Sequence, residues 1–339
     1  MTRNAVESWA HAAAVEEAIA SSDFSGVAAV DIGDDRVFQA SSGHAHRASA
    51  TPNSLDTRFA IASGSKAFTA LAVMRLVDDG LIDLDAPIRT WLNDELPLLD
   101  PGLSVRHLLT HTGGLEDYLD ESEESSLDDY VLDLPVHTLT RAESFLPLLA
   151  GLGQATSPGS GFAYSNAGFV ILALIIERVT GQVFQDSVDQ LVFTPAGLQA
   201  TAYLRLAELP ADTATGYLFA TGDRANTLHL PVRGNGDGGA YTTTDDLHLF
   251  WRALFNAEIL PNKAVHRMVG PVSDVPEENM RYGMGFWLER VGNAVVMEGC
   301  DAGVSFRSTH DPDTQTTVTI LSNTSDGAWP VVRATLRQR

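Results

Sequence analysis

Ser63 and Lys66 stand three residues apart at the start of SGSKAFTALAVM, a stretch apolar on nearly every side and expected to form a buried helix over 63–80. A serine that caps a helix usually has Glu or Gln three residues on, because the first-turn amides carry positive partial charge. Here the partner is a lysine. The helix end and the burial both disfavour a cation, so Lys66 is expected to tend toward its neutral form. A neutral amine one turn from a serine hydroxyl can take its proton, which makes Ser63 a candidate nucleophile and Lys66 its base. Taken alone, the four residues equally describe an ordinary cap followed by a lysine that snorkels to the surface.

A second polar cluster, Tyr164-Ser165-Asn166, follows the loop TSPGSGFA and precedes the apolar run AGFVILALIIERV, so it also stands at the mouth of a buried helix. In one reading Asn166 is an N-cap and Tyr164 a core aromatic with a satisfied hydroxyl. In the other, Tyr164 is a second proton-transfer group, its phenol lowered by the neighbouring lysine, and Asn166 orients Lys66 and the substrate.

The elements that must position these groups follow from patterning. GVAAVDIG (26–33) and RVFQASSG (36–43) read as a strand hairpin across Asp34-Asp35, after an amphipathic helix near the N-terminus. Helical segments and loops dominate to about residue 270, with helices expected over 105–110, 141–150, 166–180, 184–192 and 244–256. Strand-like segments return at 284–291, 294–299, 304–309 and 316–323, before a helix over 327–338. An α/β (α+β) fold is therefore expected. Residues 1–82 and 270–339 would form a sheet domain from both chain ends, and 83–269 a mostly helical insertion, with the active site in the cleft between.

Composition narrows the function classes. The chain has 339 residues, 44% of them hydrophobic and 19% charged, which excludes a disordered or fibrous protein. Its formal charge of −22 opposes binding to nucleic acid or anionic membranes, so neither is expected as a partner. Only two lysines, Lys66 and Lys263, occur, so a lysine in a distinctive position is seldom filler. The single Cys300 excludes an intramolecular disulfide and multi-cysteine zinc sites. The longest apolar run, 169–176, is far too short to span a bilayer, and the acidic N-terminal segment lacks the continuous apolar stretch of a secretory signal; a cytoplasmic protein is expected.

Ser63-x-x-Lys66 after an N-terminal strand pair, Tyr164-x-Asn166 about a hundred residues later and a glycine-rich strand end near residue 300 together resemble the β-lactamase and penicillin-binding-protein superfamily. The flanks FAIASGSKAFTALAVMRLVDDGLIDLDAPI, LSVRHLLTHTGGL and GGAYTTTDDLHLFWRAL are similar to the branch containing class C β-lactamases, family VIII carboxylesterases and D-aminopeptidases. The resemblance covers most of the chain. It implies a β-lactamase/transpeptidase-like fold whose antiparallel sheet is flanked by helices, and a covalent acyl-enzyme on Ser63 with no cofactor and no metal. It also implies an oxyanion hole built from the backbone amides of Ser63 and Cys300.

The third motif departs from that pattern. Where the branch carries Lys-Thr-Gly or His-x-Gly, this sequence has Met297-Glu298-Gly299, or, with a one-residue shift, Glu298 at the cationic position; either way the segment is expected to line the substrate site without the usual cation. Loss of the cation argues against β-lactams and D-Ala-D-Ala peptides, and an anionic Glu298 would repel carboxylates while tolerating neutral esters or free amines. The expected partner is a small-molecule ester or amide. A carboxylesterase on small esters comes first, a D-amino-acid amidase, peptidase or β-lactamase second, and a non-catalytic binding protein third.

Four further features are read structurally. His111 in LLTHTGGL is expected to cap a helix end. His44 and His46 alternate as on a strand, with no acidic partner pattern for a metal. Gly234 to Gly239 matches GxGxxG but lacks the flanking strand and parallel crossover of a dinucleotide site, and reads as a tight turn lining the cleft, with Thr243 and Asp246 capping the next helix. Segment 116–133 holds nine acidic residues and no Lys or Arg, and reads as a solvated loop or a lid over the site.

Overall fold

The computed structural model describes residues 9–119 and 131–336. Eight of its strands form one antiparallel sheet. In chain order they are β1 (Gly26–Ile32), β2 (Asp35–Ser42), β3 (Ser273–Val275), β4 (Met280–Tyr282), β5 (Trp287–Glu289), β6 (Val295–Asp301), β7 (Val304–Asp311) and β8 (Thr316–Ser322). Their spatial order is β2-β1-β8-β7-β6-β5-β4-β3, so the N-terminal hairpin is zipped onto the C-terminal meander through β1 and β8. The three-residue strands β3 and β4 are too short to show a period in the sequence, and the expected segment 284–291 is a strand only over Trp287–Glu289.

Alternation on the central strands sorts side chains between two cores. Val27 of β1 and Leu321 of β8 enter the large core, while their neighbours Ala28 and Ile320 enter a smaller one. Helices α1 (Ala12–Ser21) and α5 (Ala328–Leu336) cover the smaller core, closing on Val15, Phe24 and Val331. The opposite face is covered by α2 (Lys66–Asp78), α3 (Asn166–Thr180) and α4 (Thr244–Phe255), around Phe68, Phe250, Phe286 and Phe306. Helix α4 lies within the stretch expected as the insertion, yet it packs on β1 and β8 and its Trp251 indole donates to Ser308 Oγ of β7 at 2.9 Å.

Helices α2 and α3 carry the two polar clusters, and they are buried around most of their circumference. Each can therefore present only its first turn to a cleft. No single helix among the described residues is long and apolar enough to cross a membrane. Most of the acidic segment, residues 120–130, lies outside the described residues.

Candidate active site

Ser63 is not an N-cap. It sits in a 3₁₀ turn, Ala62–Ser65, and α2 begins only at Lys66. The turn is tied at each position: Ser65 Oγ donates to Ala62 O at 2.8 Å, Gly64 N to Ile61 O at 2.9 Å and Ala240 N to Ser65 Oγ at 3.0 Å. Ala62 adopts φ +44°, a left-handed conformation that costs a non-glycine residue on the order of 1–3 kcal/mol and that this network imposes. Gly64 is required by space, since a Cβ there would lie 2.5 Å from the Phe306 ring.

Lys66 is almost wholly buried at 2% exposure. Its Nζ lies 2.9 Å from Ser63 Oγ, 2.6 Å from Asn166 Oδ1 and 2.8 Å from the main-chain oxygen of Asp237. Both carbonyl oxygens accept N–H bonds in either charge state of the lysine. The direction toward Ser63 is the one that changes: the ammonium donates to Oγ, and the amine accepts from the hydroxyl. The nitrogen also lies 4.8 Å from the centre of the Tyr164 ring.

Asn166 is the first residue of α3 and not its cap. Ser165 is the cap, accepting from Gly168 N at 3.0 Å. This frees the Asn166 amide to face Lys66. His111, 1% exposed, accepts from Ser165 N through Nδ1 at 3.1 Å, and burial together with the Lys66 charge holds it well below the usual histidine range. Its role is structural, as a neutral acceptor supporting the Tyr164 turn.

The strand end of β6 completes the constellation. Strand β5 pairs with β6 only at Val295 and Val296, so the edge beyond faces the Ser63 turn instead. Gly299 makes that approach possible, because a Cβ on it would stand 2.2 Å from Ile61 O and 2.8 Å from Ser63 N. Ser63, Tyr164, Asn166, Glu298, Gly299 and Cys300 line one cavity of about 590 Å³. The Cys300 Sγ points to Ser325 O at 3.5 Å.

One expectation for the third motif needs correction, and another gains a partner. Met297 is 2% exposed and its side chain belongs to the large core, so it lines only a small recess beneath the cavity. Strand alternation dictates this, since Glu298 takes the cavity-facing side. Glu298 is also not an isolated anion. Arg307, directly opposite it on β7, donates to Glu298 Oε2 at 2.8 Å and to Glu289 Oε1 at 3.2 Å. Arg307 is not among the cavity-lining residues, so the wall itself presents the carboxylate.

The sequence reading missed Asp117 and Tyr118, which were submerged in an acidic run. Asp117 lines the cavity and accepts from Asn166 N at 2.5 Å and Ala167 N at 3.1 Å. Burial pushes its carboxyl up to about 6, against the pull of those backbone bonds and of Lys66. Tyr118 donates its hydroxyl to the Asp237 carboxylate. The glycine-rich turn, closed by Asn235 N to Gly238 O at 2.9 Å, thus serves as a main-chain acceptor behind Lys66 and does not line the large cavity. Thr243 caps α4 as expected, and Asp246 accepts from the chain at Ala200 and from Thr201. No group of three or more metal-ligating side chains occurs among the described residues.

A serine hydroxyl against a buried lysine that two carbonyl oxygens hold, beneath an antiparallel sheet edge pressed on the serine turn, is an arrangement able to do the acyl-transfer chemistry of a serine hydrolase. The Beta-lactamase family profile matches residues 11–339, and the chain belongs to that family of serine hydrolases. The penicillin-binding protein of Bacillus halodurans superposes with a TM-score of 0.89 at 36% identity, covering 96% of this chain and 100% of that one. Esterase EstB of Burkholderia gladioli is 36% identical over 174 residues, covering 50% of this chain and 44% of EstB. A D-aminopeptidase of Brucella anthropi is 31% identical over 279 residues, covering 79% of this chain and 49% of its own length.

Proposed function

We propose that the protein hydrolyses small carboxylic esters through a covalent acyl-enzyme on Ser63. The observation that carries this reading is the 2.9 Å approach of Lys66 Nζ to Ser63 Oγ, with the same nitrogen tied to two carbonyl oxygens. As the neutral amine, Lys66 takes the hydroxyl proton while Oγ attacks the ester carbonyl. The backbone amides of Ser63 and Cys300 receive the developing oxyanion. The C–O bond to the alcohol breaks as Tyr164 or the Lys66 ammonium returns the proton to the leaving oxygen. Water then attacks the acyl carbonyl and gives a proton to the same base; the bond from that carbon to Ser63 Oγ breaks as the base passes the proton to Oγ, which releases the acid and restores the serine.

Amides and esters of substrates bearing a free amine form the second reading. Asp117, Glu277, Glu278 and Glu298 line the cavity, and no Lys, Arg or His does so among the described residues. Such a wall favours a neutral or cationic substrate over the carboxylate of a β-lactam or peptide C-terminus. Similarity to an esterase and a D-aminopeptidase supports both readings.

The test is initial-rate hydrolysis of a short-chain nitrophenyl ester by wild type and Ser63→Ala, with mass analysis after a serine-directed fluorophosphonate. Ser63-dependent turnover and a single adduct on Ser63 are expected, with thermal unfolding of the variant little changed. Equal rates in both proteins, or no adduct, would remove the nucleophile and favour a binding protein of the same fold.

A further inference from the structure

The two oxygens that orient Lys66 are themselves held by neighbouring residues of one loop. Asp117 Oδ2 accepts from Asn166 N, and Asp117 Oδ1 and Oδ2 accept from Ala167 N at 3.1 and 3.3 Å, pinning the first turn of α3 from which Asn166 Oδ1 reaches Lys66 at 2.6 Å. The adjacent Tyr118 bonds the Asp237 side chain, whose own main-chain oxygen accepts from Lys66 at 2.8 Å. Burial and the anionic neighbours Asp237, Asp117 and Asp301 keep the Tyr118 hydroxyl well above its ordinary range, so it stays protonated and remains a donor.

We infer that Asp117 and Tyr118 are positioning residues that set the direction of the Lys66 amine through its two carbonyl acceptors. This rests on the acyl-enzyme reading above. Neither residue needs to touch the reacting atoms. Removing the Asp117 carboxylate releases Asn166, and removing the Tyr118 hydroxyl releases the Asp237 turn. Either change leaves Lys66 in place while its lone pair swings away from Ser63 Oγ. Misplacement of a catalytic group by about 1 Å costs on the order of a hundredfold in rate.

The Asp117 clamp is also pH-dependent. With its carboxyl at about 6, Asp117 is ionised above that pH and gains a proton below it, losing acceptor strength toward Asn166 and Ala167. The charged and titratable groups around it are Lys66 on α2, Tyr118 on its own loop, and Asp237 and Asp301 beyond Tyr118. An acid limb near pH 6 in kcat/KM is therefore expected in the wild type.

The experiment compares Asp117→Asn, Asp117→Glu and Tyr118→Phe with wild type on a neutral nitrophenyl ester. Readouts are kcat/KM from pH 4.5 to 8, the rate of fluorophosphonate labelling of Ser63, and Tm. Asp117→Asn should lose about tenfold to a hundredfold in both rates with KM little changed and a displaced acid limb. Asp117→Glu should recover part of the rate, and Tyr118→Phe, which removes one oxygen, should slow labelling at a near-native Tm. Wild-type labelling rates and an unmoved acid limb in folded Asp117→Asn, or an unaltered labelling rate in Tyr118→Phe, would overturn the inference. Failure of Ser63 itself to label in wild type would instead overturn the acyl-enzyme reading.

Discussion

Gly299→Ala probes the closest approach in the site. In the native backbone the added methyl would lie 2.2 Å from Ile61 O, more than an ångström inside ordinary contact, and also 2.8 Å from Ser63 N and Gly64 N. These are main-chain atoms of a turn tied by Ser65, Gly64 and Ala240, so no flexible side chain can yield. Strand β6 must move away, and it carries the Cys300 amide, one of the two donors assigned to the oxyanion. Displacing one such donor costs about 10²–10³ in kcat, and misplacement by 1 Å about 10². A fall of about a hundredfold in kcat/KM on the nitrophenyl ester is expected, equivalent to ~2.7 kcal/mol of transition-state stabilisation at 1.36 kcal/mol per tenfold. Gly151→Ala is the control, because a methyl there meets nothing within 4 Å. Activity of Gly299→Ala within threefold of wild type, at a comparable Tm, would refute the assignment of the β6 edge to the oxyanion site.

Two further outcomes follow from the charge distribution. Glu298→Gln leaves Arg307 paired only with Glu289, so the cavity wall loses an anion; kcat/KM for a carboxylate-bearing ester should rise relative to its neutral analogue, and an unchanged ratio would count against Glu298 as a selector. His310, stacked near Trp251 and Phe255, is held by burial at about 4, below its ordinary 6.5. A lowered folded value means the unfolded chain binds the extra proton first, so the neutral ring's contribution is present above pH 6.5 and is lost as pH falls toward 4. It amounts to about 3 kcal/mol at most. Urea unfolding of wild type and His310→Phe between pH 4.5 and 7 measures it; equal slopes would remove His310 as the cause.

The candidate residues were legible in the sequence because the patterns that single them out live in short spacings. Ser63 and Lys66 lie one helical turn apart, and Tyr164 and Asn166 flank the cap of a long apolar helix; both patterns are local. The strand hairpin and the last three strands were also readable, since each is long enough to show alternation or a β-branched run. Strands of three residues carry no such signal; the Ser63 turn differs from a simple cap because Ser65 bonds Ala62 and the remote Ala240, and Asn166 is the first helical residue because Ser165 takes the cap through Gly168 N.

What the sequence by itself determined, then, is which residue types could act as nucleophile, base and orienting group, and that the third motif lacks a cation. Tertiary structure alone decided that the Asp237 carbonyl, 171 positions away, joins Asn166 as an acceptor for Lys66, and that Glu298 is matched by Arg307 on the neighbouring strand. It also picked Asp117 and Tyr118 out of an acidic run. The physical reason is that a buried polar group must find its partner wherever the packing of remote segments puts one, and no spacing along the chain records that choice.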